Sequence, residues 1–465
     1  MMTWSLALRN LLRNRRRSLS TLLALAIGSA SILVFGGYSA NIKTIMKTGY
    51  VRNGGHLQIQ HQDFYLYGSG NPTAYGISDY AKLMAAIQAD PSLKGMVAVV
   101  TPTLQFGGVA GNFAAGVSRT VIGTGFVAVD VNRMRQWNEF ELPLIPMRFV
   151  LEGSAADTAV VGTGVARVLR LCDALGIADC PGPMVEPKPS GTALPADIAA
   201  LALAETPATA ATDGKNDARI ELLAGHANGT PNVASLQVLQ AERQGFKEFD
   251  EVAVIVQLAQ AQQLVYGRSP PRATSIMVQL EKSDQIVEAA TRLKALMATA
   301  APQQPLAVFD FETLNPFYVQ TVKLFDTIFG FIFVLIGAIV LFTVSNTMNT
   351  AVVERTVEIG TLRAVGLRQA GIRRLFVTEG FLLGSVGAVS GAILAIALAF
   401  VVNQMGLTWL PPGSSEPLPL LLRVWGENQM IASTTLGLVV IAVASAWWPA
   451  YRAARLNVVD ALRHV

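Results

Sequence analysis

TIFGFIFVLIGAIVLFTVSNTMNTAVV, residues 327–353, carries no charged side chain, and ERTVEIGTLRAVGLR, residues 354–368, follows it at once with charges at every turn. A bilayer core of about 30 Å takes roughly 20 helical residues at about 1.5 Å each, so the first stretch is long enough to cross. Three more uncharged apolar stretches stand at Ser18–Ile42, Gly380–Val402 and Asn428–Tyr451. One precedes a long insert and three follow it. The expected fold class is therefore a membrane α-helical protein with four transmembrane helices in a 1+3 arrangement. A large α+β domain is expected between the first and second spans.

The chain of 465 residues is only 15% charged. Soluble proteins carry about 25% charge, so the deficit fits membrane spans, as does a mean hydropathy of +0.41. A pI near 9.1 resembles a nucleic-acid signal, but the net charge is only +4. The arginines sit beside the apolar stretches, at 13 and 15–17, at 355, 363, 368, 373 and 374, and at 452 and 455. Clustering of this kind marks cytoplasmic flanks, and without a basic stripe interleaved with aromatics nucleic acid is not expected as a partner. The N-terminus, the segment after the second span and the C-terminus are then cytoplasmic, with the insert on the opposite side.

The expected divisions are an amphipathic cytoplasmic helix at 1–17, spans at 18–42, 321–353, 375–402 and 429–451, and the exported domain at 43–320. A charged cytoplasmic segment fills 354–374, a short outer loop 403–428 and a tail 452–465. In the first helix, Trp4, Leu8 and Leu11 share one face and Arg9, Arg13 and Arg16 another, which suits a helix lying in lipid headgroups. The first span is too long for a signal-peptide core and lacks a good cleavage site, so an uncleaved anchor is expected.

Within the insert, alternation predicts strands at 57–60, 96–100, 120–122, 159–161, 251–257, 275–279 and 306–309. Helices are expected at 79–89, capped by Ser78, through Ala166 and Leu169, and at 283–297. Strands and helices without a strict βαβ rhythm argue for α+β and two subdomains. Prolines among alanines make 181–216 a mobile stretch. Cys172 and Cys180 both lie in the exported part, where a disulfide is permitted; two free thiols are the alternative.

The charged segment carries the mechanical reading. Glu354 and Glu358 share a helix face. Ile359, Leu362 and Val365 form a narrow apolar stripe, Arg355 and Arg363 flank it, and Gly366 is a helix stop. A short helix tied to two spans can act as a handle for a partner's groove; a solvated loop that only halts translocation is the bland alternative. In the third span, Gly380, Gly384, Gly387 and Gly391 allow close helix approach, either toward a second copy or within the chain.

The run from Glu354 to Ala395, ERTVEIGTLRAVGLRQAGIRRLFVTEGFLLGSVGAVSGAILA, resembles the permease core of the MacB, LolC/LolE and FtsX families of ABC systems. LALRNLLRNRRRSLSTLLALAIG near the N-terminus and WWPAYRAARLNVVDALRH near the C-terminus resemble the same families' ends. HLQIQ and AVVGTGVARVLRL resemble their periplasmic domain more loosely. The resemblance implies a type VII, mechanotransmission permease in the bacterial inner membrane. A cytoplasmic ABC ATPase dimer would hold ATP and Mg, with no cofactor bound by this chain. A second permease copy or paralogue, membrane lipid and a periplasmic carrier or lipoprotein would be its other partners. Residues 354–366, with Gly360, Thr361 and the stripe, would then sit in the ATPase groove. The implied work is extraction or movement of lipoprotein, lipid or other hydrophobic cargo. Activation of a periplasmic partner in the FtsX manner, and MacB-like efflux of drugs or peptides, are the alternatives; a static membrane anchor would have no ATPase partner.

Enzyme chemistry is not expected. No phosphate loop is present, and Gly214-Lys215 is followed by Asn216 rather than by a hydroxyl residue that could hold Mg. His56 and His61 lack the His-Glu-x-x-His pattern of a zinc hydrolase, so no metal is expected and His56 reads as flanking a strand. The spans hold almost no ionisable residue, which argues against an ion-coupled carrier.

Overall fold

A computed structural model describes residues 2–143, 148–178, 180, 218–226, 229–410 and 417–457. It divides into two compact units, one of Met1–Met46, Phe317–Trp409 and Leu418–Val465, the other of Lys47–Pro316 with Leu410–Pro417. The stretch expected to be mobile, 181–216, lies outside the described residues.

The first unit is helical. Four helices are long and apolar enough to cross a membrane: Arg15–Gly54, Pro316–Glu354, Gln369–Gln404 and Asn428–Ala454. Three of them run well past the stretches read from hydropathy. The first continues to Gly54, not Ile42, because apolar burial persists at Ile42, Ile45 and Val51 and no proline intervenes before Gly55, whose φ is +75°. The second begins at Pro316 rather than 321, with the proline at the first helical position, where its missing N–H costs nothing.

Lipid offers helices no hydrophobic reason to associate, so close packing has to hold them together. The third long helix supplies it with glycine. A Cβ at Gly384 would lie 2.7 Å from Ala442 Cβ, and one at Gly391 would lie 2.4 Å from Ser29 Cβ and 2.5 Å from the Ala26 carbonyl oxygen. Gly380 likewise meets Ala446, and Gly387 meets Leu25. All four glycines thus face the chain's own first and fourth long helices, not a surface free for a second copy. Ser29 Oγ donates to the Ala388 carbonyl at 3.0 Å across the same contact.

The second unit is built on nine strands: β1 (Leu57–His61), β2 (Val97–Asn112), β3 (Val117–Phe126), β4 (Thr158–Gly162), β5 (Arg219–Gly225), β6 (Pro231–Glu242), β7 (Ala253–Gln257), β8 (Ser275–Leu280) and β9 (Leu306–Asp310). Their order is β3-β7-β4-β6-β5-β2-β8-β1-β9, and β3 also pairs with β2. That extra pairing closes β2, β3, β7, β4, β6 and β5 into a ring. Its interior holds Leu104, Phe106, Val121, Val161, Leu236 and Val254, all buried. A Cβ at Gly123 would fall 2.2 Å from the Phe106 ring, so glycine there makes room for the largest interior side chain.

The N-terminal half of β2 belongs to a second, antiparallel layer with β8, β1 and β9. Helices Tyr80–Ala89 and Ile286–Ala300 cover it, burying Leu83, Ile87, Ala289 and Leu293 against Leu57, Ile59, Ile276 and Val278. The first of these helices is not capped by Ser78. Its N-cap is Asp79, at φ 51°, because Gln304 takes both backbone groups of Ser78, accepting from its N–H and donating to its carbonyl, each at 3.0 Å. Cys172 and Cys180 are joined by a disulfide with Cα atoms 6.0 Å apart.

His56 precedes β1 and is fully buried. Its Nδ1 accepts the Leu280 N–H at 3.0 Å, Nε2 lies 3.3 Å from Ser283 Oγ, and the ring packs edge-on to Trp137. Burial, aided by the Lys47 ammonium, pushes its pKa down to about 3. The unfolded chain takes up that proton near pH 6.5, so the stability held by neutral His56 is complete above about 6.5 and is lost as pH falls toward about 3. Melting of the detergent-purified chain between pH 6 and 4 should show a slope that shrinks in His56→Gln by up to about 1.4 kcal/mol per pH unit. Equal slopes would show that His56 is not held neutral.

Candidate functional site

Between the second and third long helices lies a short helix, Thr356–Ala364. The break before it is a single residue, Arg355, at φ −107° and ψ 16°. Its far end is closed by Gly366 at φ +102°. There the Gly366 N–H donates to the Arg363 carbonyl and the Leu367 N–H to the Leu362 carbonyl, both at 3.0 Å. This pair of bonds is the Schellman closure that a left-handed glycine permits. Sharp stops at both ends make the segment a discrete short helix rather than a loop.

Its two faces differ. Inward, Ile359 is 3% exposed and packs in a core with Met348, Ile372, Phe376 and Ala450; Gly360 is buried beside it. Outward, Val357, Leu362 and Val365 are 46%, 40% and 83% exposed, with exposed Thr361 among them. The exposed ridge is therefore Val357, Thr361, Leu362 and Val365, and Ile359 does not belong to the stripe expected from sequence. Spacing alone left the phase of the helix open by one position; the apolar pocket under Ile359 fixes it.

Arg355 does not flank the ridge either. It is buried, and its Nη1 donates to Glu379 Oε1 at 3.1 Å. Its Nη2 donates to the Asn10 carbonyl at 3.1 Å, and Asn10 Nδ2 donates to Glu379 Oε1 at 2.7 Å. Glu379, 2% exposed, lies inside the expected third span and corrects the reading of spans almost free of ionisable groups. A lone acid in a long apolar helix is a functional candidate by default, and Glu379 is the only acid between 369 and 404. That signal was present in the sequence. Its partners were not, since Arg355 stands 24 residues away at a helix break and Asn10 369 residues away, and only packing brings both to it.

The outer charges tie the same segment to the end of the N-terminal helix, Met2–Arg13, and to the start of the first long helix. Arg17 grips Glu354 through two bonds of 2.6 and 2.7 Å, and Asn14 adds a third at 3.2 Å. Arg13 grips Glu358 at 2.6 and 2.9 Å, so Arg13 is engaged with protein. In the N-terminal helix it is Ala7 that is buried, while Trp4 and Leu8 stay more than half exposed. The face turned to the chain thus carries Ala7 and Asn10, with Leu11 half-buried against the same core and the Trp4 ring edge-on to Phe381 at 5.7 Å. Arg363 donates to the Leu456 carbonyl, beyond the fourth long helix. The arrangement brings the short helix, the N-terminal helix and the third long helix into one polar-locked cluster with an apolar ridge left outside. Among the described residues no group of three or more His, Cys, Asp or Glu side chains is placed to hold a metal ion.

Residues 327–458, which contain this cluster's short helix, match the family described as FtsX-like permease C-terminal. An uncharacterized ABC transporter permease of Methanocaldococcus jannaschii is 28% identical over 192 residues, 40% of this chain and 45% of its own length. The lipoprotein-releasing system transmembrane protein LolC of Xylella fastidiosa is 24% identical over 230 residues, 47% of this chain and 53% of its own. The macrolide export ATP-binding/permease protein MacB of Hyphomonas neptunium is 26% identical over 216 residues, 46% of this chain and 30% of its own. The chain spans about half, or less, of the length of these curated relatives.

Proposed function

We propose that this chain, an FtsX/LolC/MacB-like ABC transporter permease, transmits the motion of a separate cytoplasmic ABC ATPase dimer to its sheet-bearing unit. One observation carries the reading. The short helix Thr356–Ala364 is anchored inward by Ile359 and the Arg355–Glu379 pair while Val357, Leu362 and Val365 stand exposed. An apolar ridge on a firmly held helix is what a partner's groove can grip and push. ATP and Mg belong to the partner, and this chain hydrolyses nothing itself. It works as a pair with a second copy or a paralogue, in the inner membrane, with the nine-stranded unit in the periplasm. The cargo is lipoprotein, lipid or another hydrophobic molecule. Support for that choice is the likeness to LolC, a lipoprotein-releasing system transmembrane protein, over 47% of this chain.

Solubilised from native membranes, the tagged chain should bring down an ABC ATPase. Glu358→Lys, which sets a lysine against Arg13, should lower hydrolysis coupled to the permease while insertion is unchanged. A cysteine at Val365→Cys should be labelled from the cytoplasmic side. Periplasmic labelling, or no ATPase in the pull-down, would overturn the reading.

A further inference from the structure

A cavity of about 510 Å³ opens in the sheet-bearing unit. Its floor is apolar: Val131, Met134, Phe149 and Ile255 are all buried. Tyr50 and Phe246, stacked with centroids 6.5 Å apart, form part of its wall. Three arginines, Arg52, Arg135 and Arg243, line the same space. Arg135 is already committed, to Glu242 at 3.1 Å and to the face of Phe149, and that pairing also neutralises the one acid in the lining. Arg52 is half-buried and its Nε donates to the Trp137 carbonyl at 2.7 Å; neither it nor exposed Arg243 forms an ion pair among the described residues.

We infer that this cavity binds a lipid with an anionic headgroup, its acyl chain on the Val131–Phe149 floor and its phosphate against Arg52 and Arg243. The volume is that of a small-molecule site, in the range of about 300–1,000 Å³. A guanidinium partly withdrawn from water without a carboxylate favours an anion that brings its own charge, and the planar fork suits phosphate. The apolar floor gives such an anion a reason to carry a tail. Arg52 belongs to the same helix, Arg15–Gly54, as the first apolar stretch. The inference rests on the membrane-permease reading, which puts the chain in contact with lipid. It adds a ligand class for the sheet-bearing unit, and its test needs no ATPase, so either can fail without the other.

The test uses the full chain in phosphatidylcholine nanodiscs, with a phosphatidylglycerol probe bearing a diazirine in its acyl chain and a phosphatidylcholine probe with the same chain. After irradiation, labelled peptides are mapped by mass spectrometry. The phosphatidylglycerol probe should label the segment around Val131 and Met134 about tenfold more than the other, the equivalent of roughly 1.4 kcal/mol. Arg52→Glu with Arg243→Glu should reduce it to the phosphatidylcholine level, lysine at both positions should keep most of it, and Val131→Trp should remove labelling by both probes. Equal labelling of the wild-type chain by the two probes, or labels confined to the long apolar helices, would overturn the inference without recourse to any variant.

Discussion

Glu379→Ala is expected to cost the chain about 3–5 kcal/mol of stability, because it leaves the Arg355 guanidinium buried without its counter-charge. Arg355 is 9% and Glu379 2% exposed at their side chains, so water cannot replace the lost carboxylate. The same change strips Asn10 of its acceptor and so loosens the N-terminal helix as well. Replacing both partners, as Arg355→Met with Glu379→Leu, should recover much of the loss, since an apolar pair removes the desolvation penalty along with the attraction. Chemical denaturation in detergent, read on both variants, checks this. A single variant as stable as the wild type would mean that the pair is not closed to water. The exposed pair Arg13–Glu358, 58% and 51% exposed, is the contrast: screening by solvent should keep its contribution below about 1 kcal/mol.

Val357→Asp with Val365→Asp is expected to uncouple the ATPase while leaving the fold intact. Val365 is 83% and Val357 46% exposed, so the free protein loses little packing. In the proposed complex they enter an apolar groove, where each carboxylate must shed water without a partner at a cost of about 2 kcal/mol or more, roughly 30-fold in affinity. ATPase retained on the immobilised chain, measured beside the melting temperature, separates the two effects. Retention at the wild-type level would show that the ridge is not the contact. Ile359→Asp is the opposite case. Buried at 3%, it should unfold the segment first and lose the ATPase as a consequence.

Much of this architecture was legible in the chain because it depends on local quantities. Length and hydropathy select the four long helices, since a helix satisfies its own backbone bonds wherever it lies. Glycine at 366 with φ +102° stops the short helix for a reason visible in one residue. Alternation found β1, β8 and β9, which send Leu57, Ile59, Ile276, Val278 and Leu280 into one core with Leu306 and Val308 packed against it. It did not find β5 and β6, where RIELLAG and PNVASLQVLQAE interleave alanine, asparagine and glutamine with the few residues that turn inward. Nor could it show that one long strand, β2, serves both a closed ring and an open layer, because that follows from pairing with β3, β5 and β8 at once.

The sequence by itself determined the apolar lengths, the stop at Gly366 and the residue types of the candidate site; the break at Arg355, which puts Glu354 on the second long helix and Glu358 on the short one rather than on one shared helix face, came from the structure. Only the tertiary structure decided which face of the short helix is outward, that Glu379 answers Arg355, and that the glycines of the third long helix are spent within the chain. The reason is physical. Helical propensity and hydropathy are summed over neighbours in sequence, whereas the phase of a helix and the partner of a buried charge are set by whatever surface is packed against them.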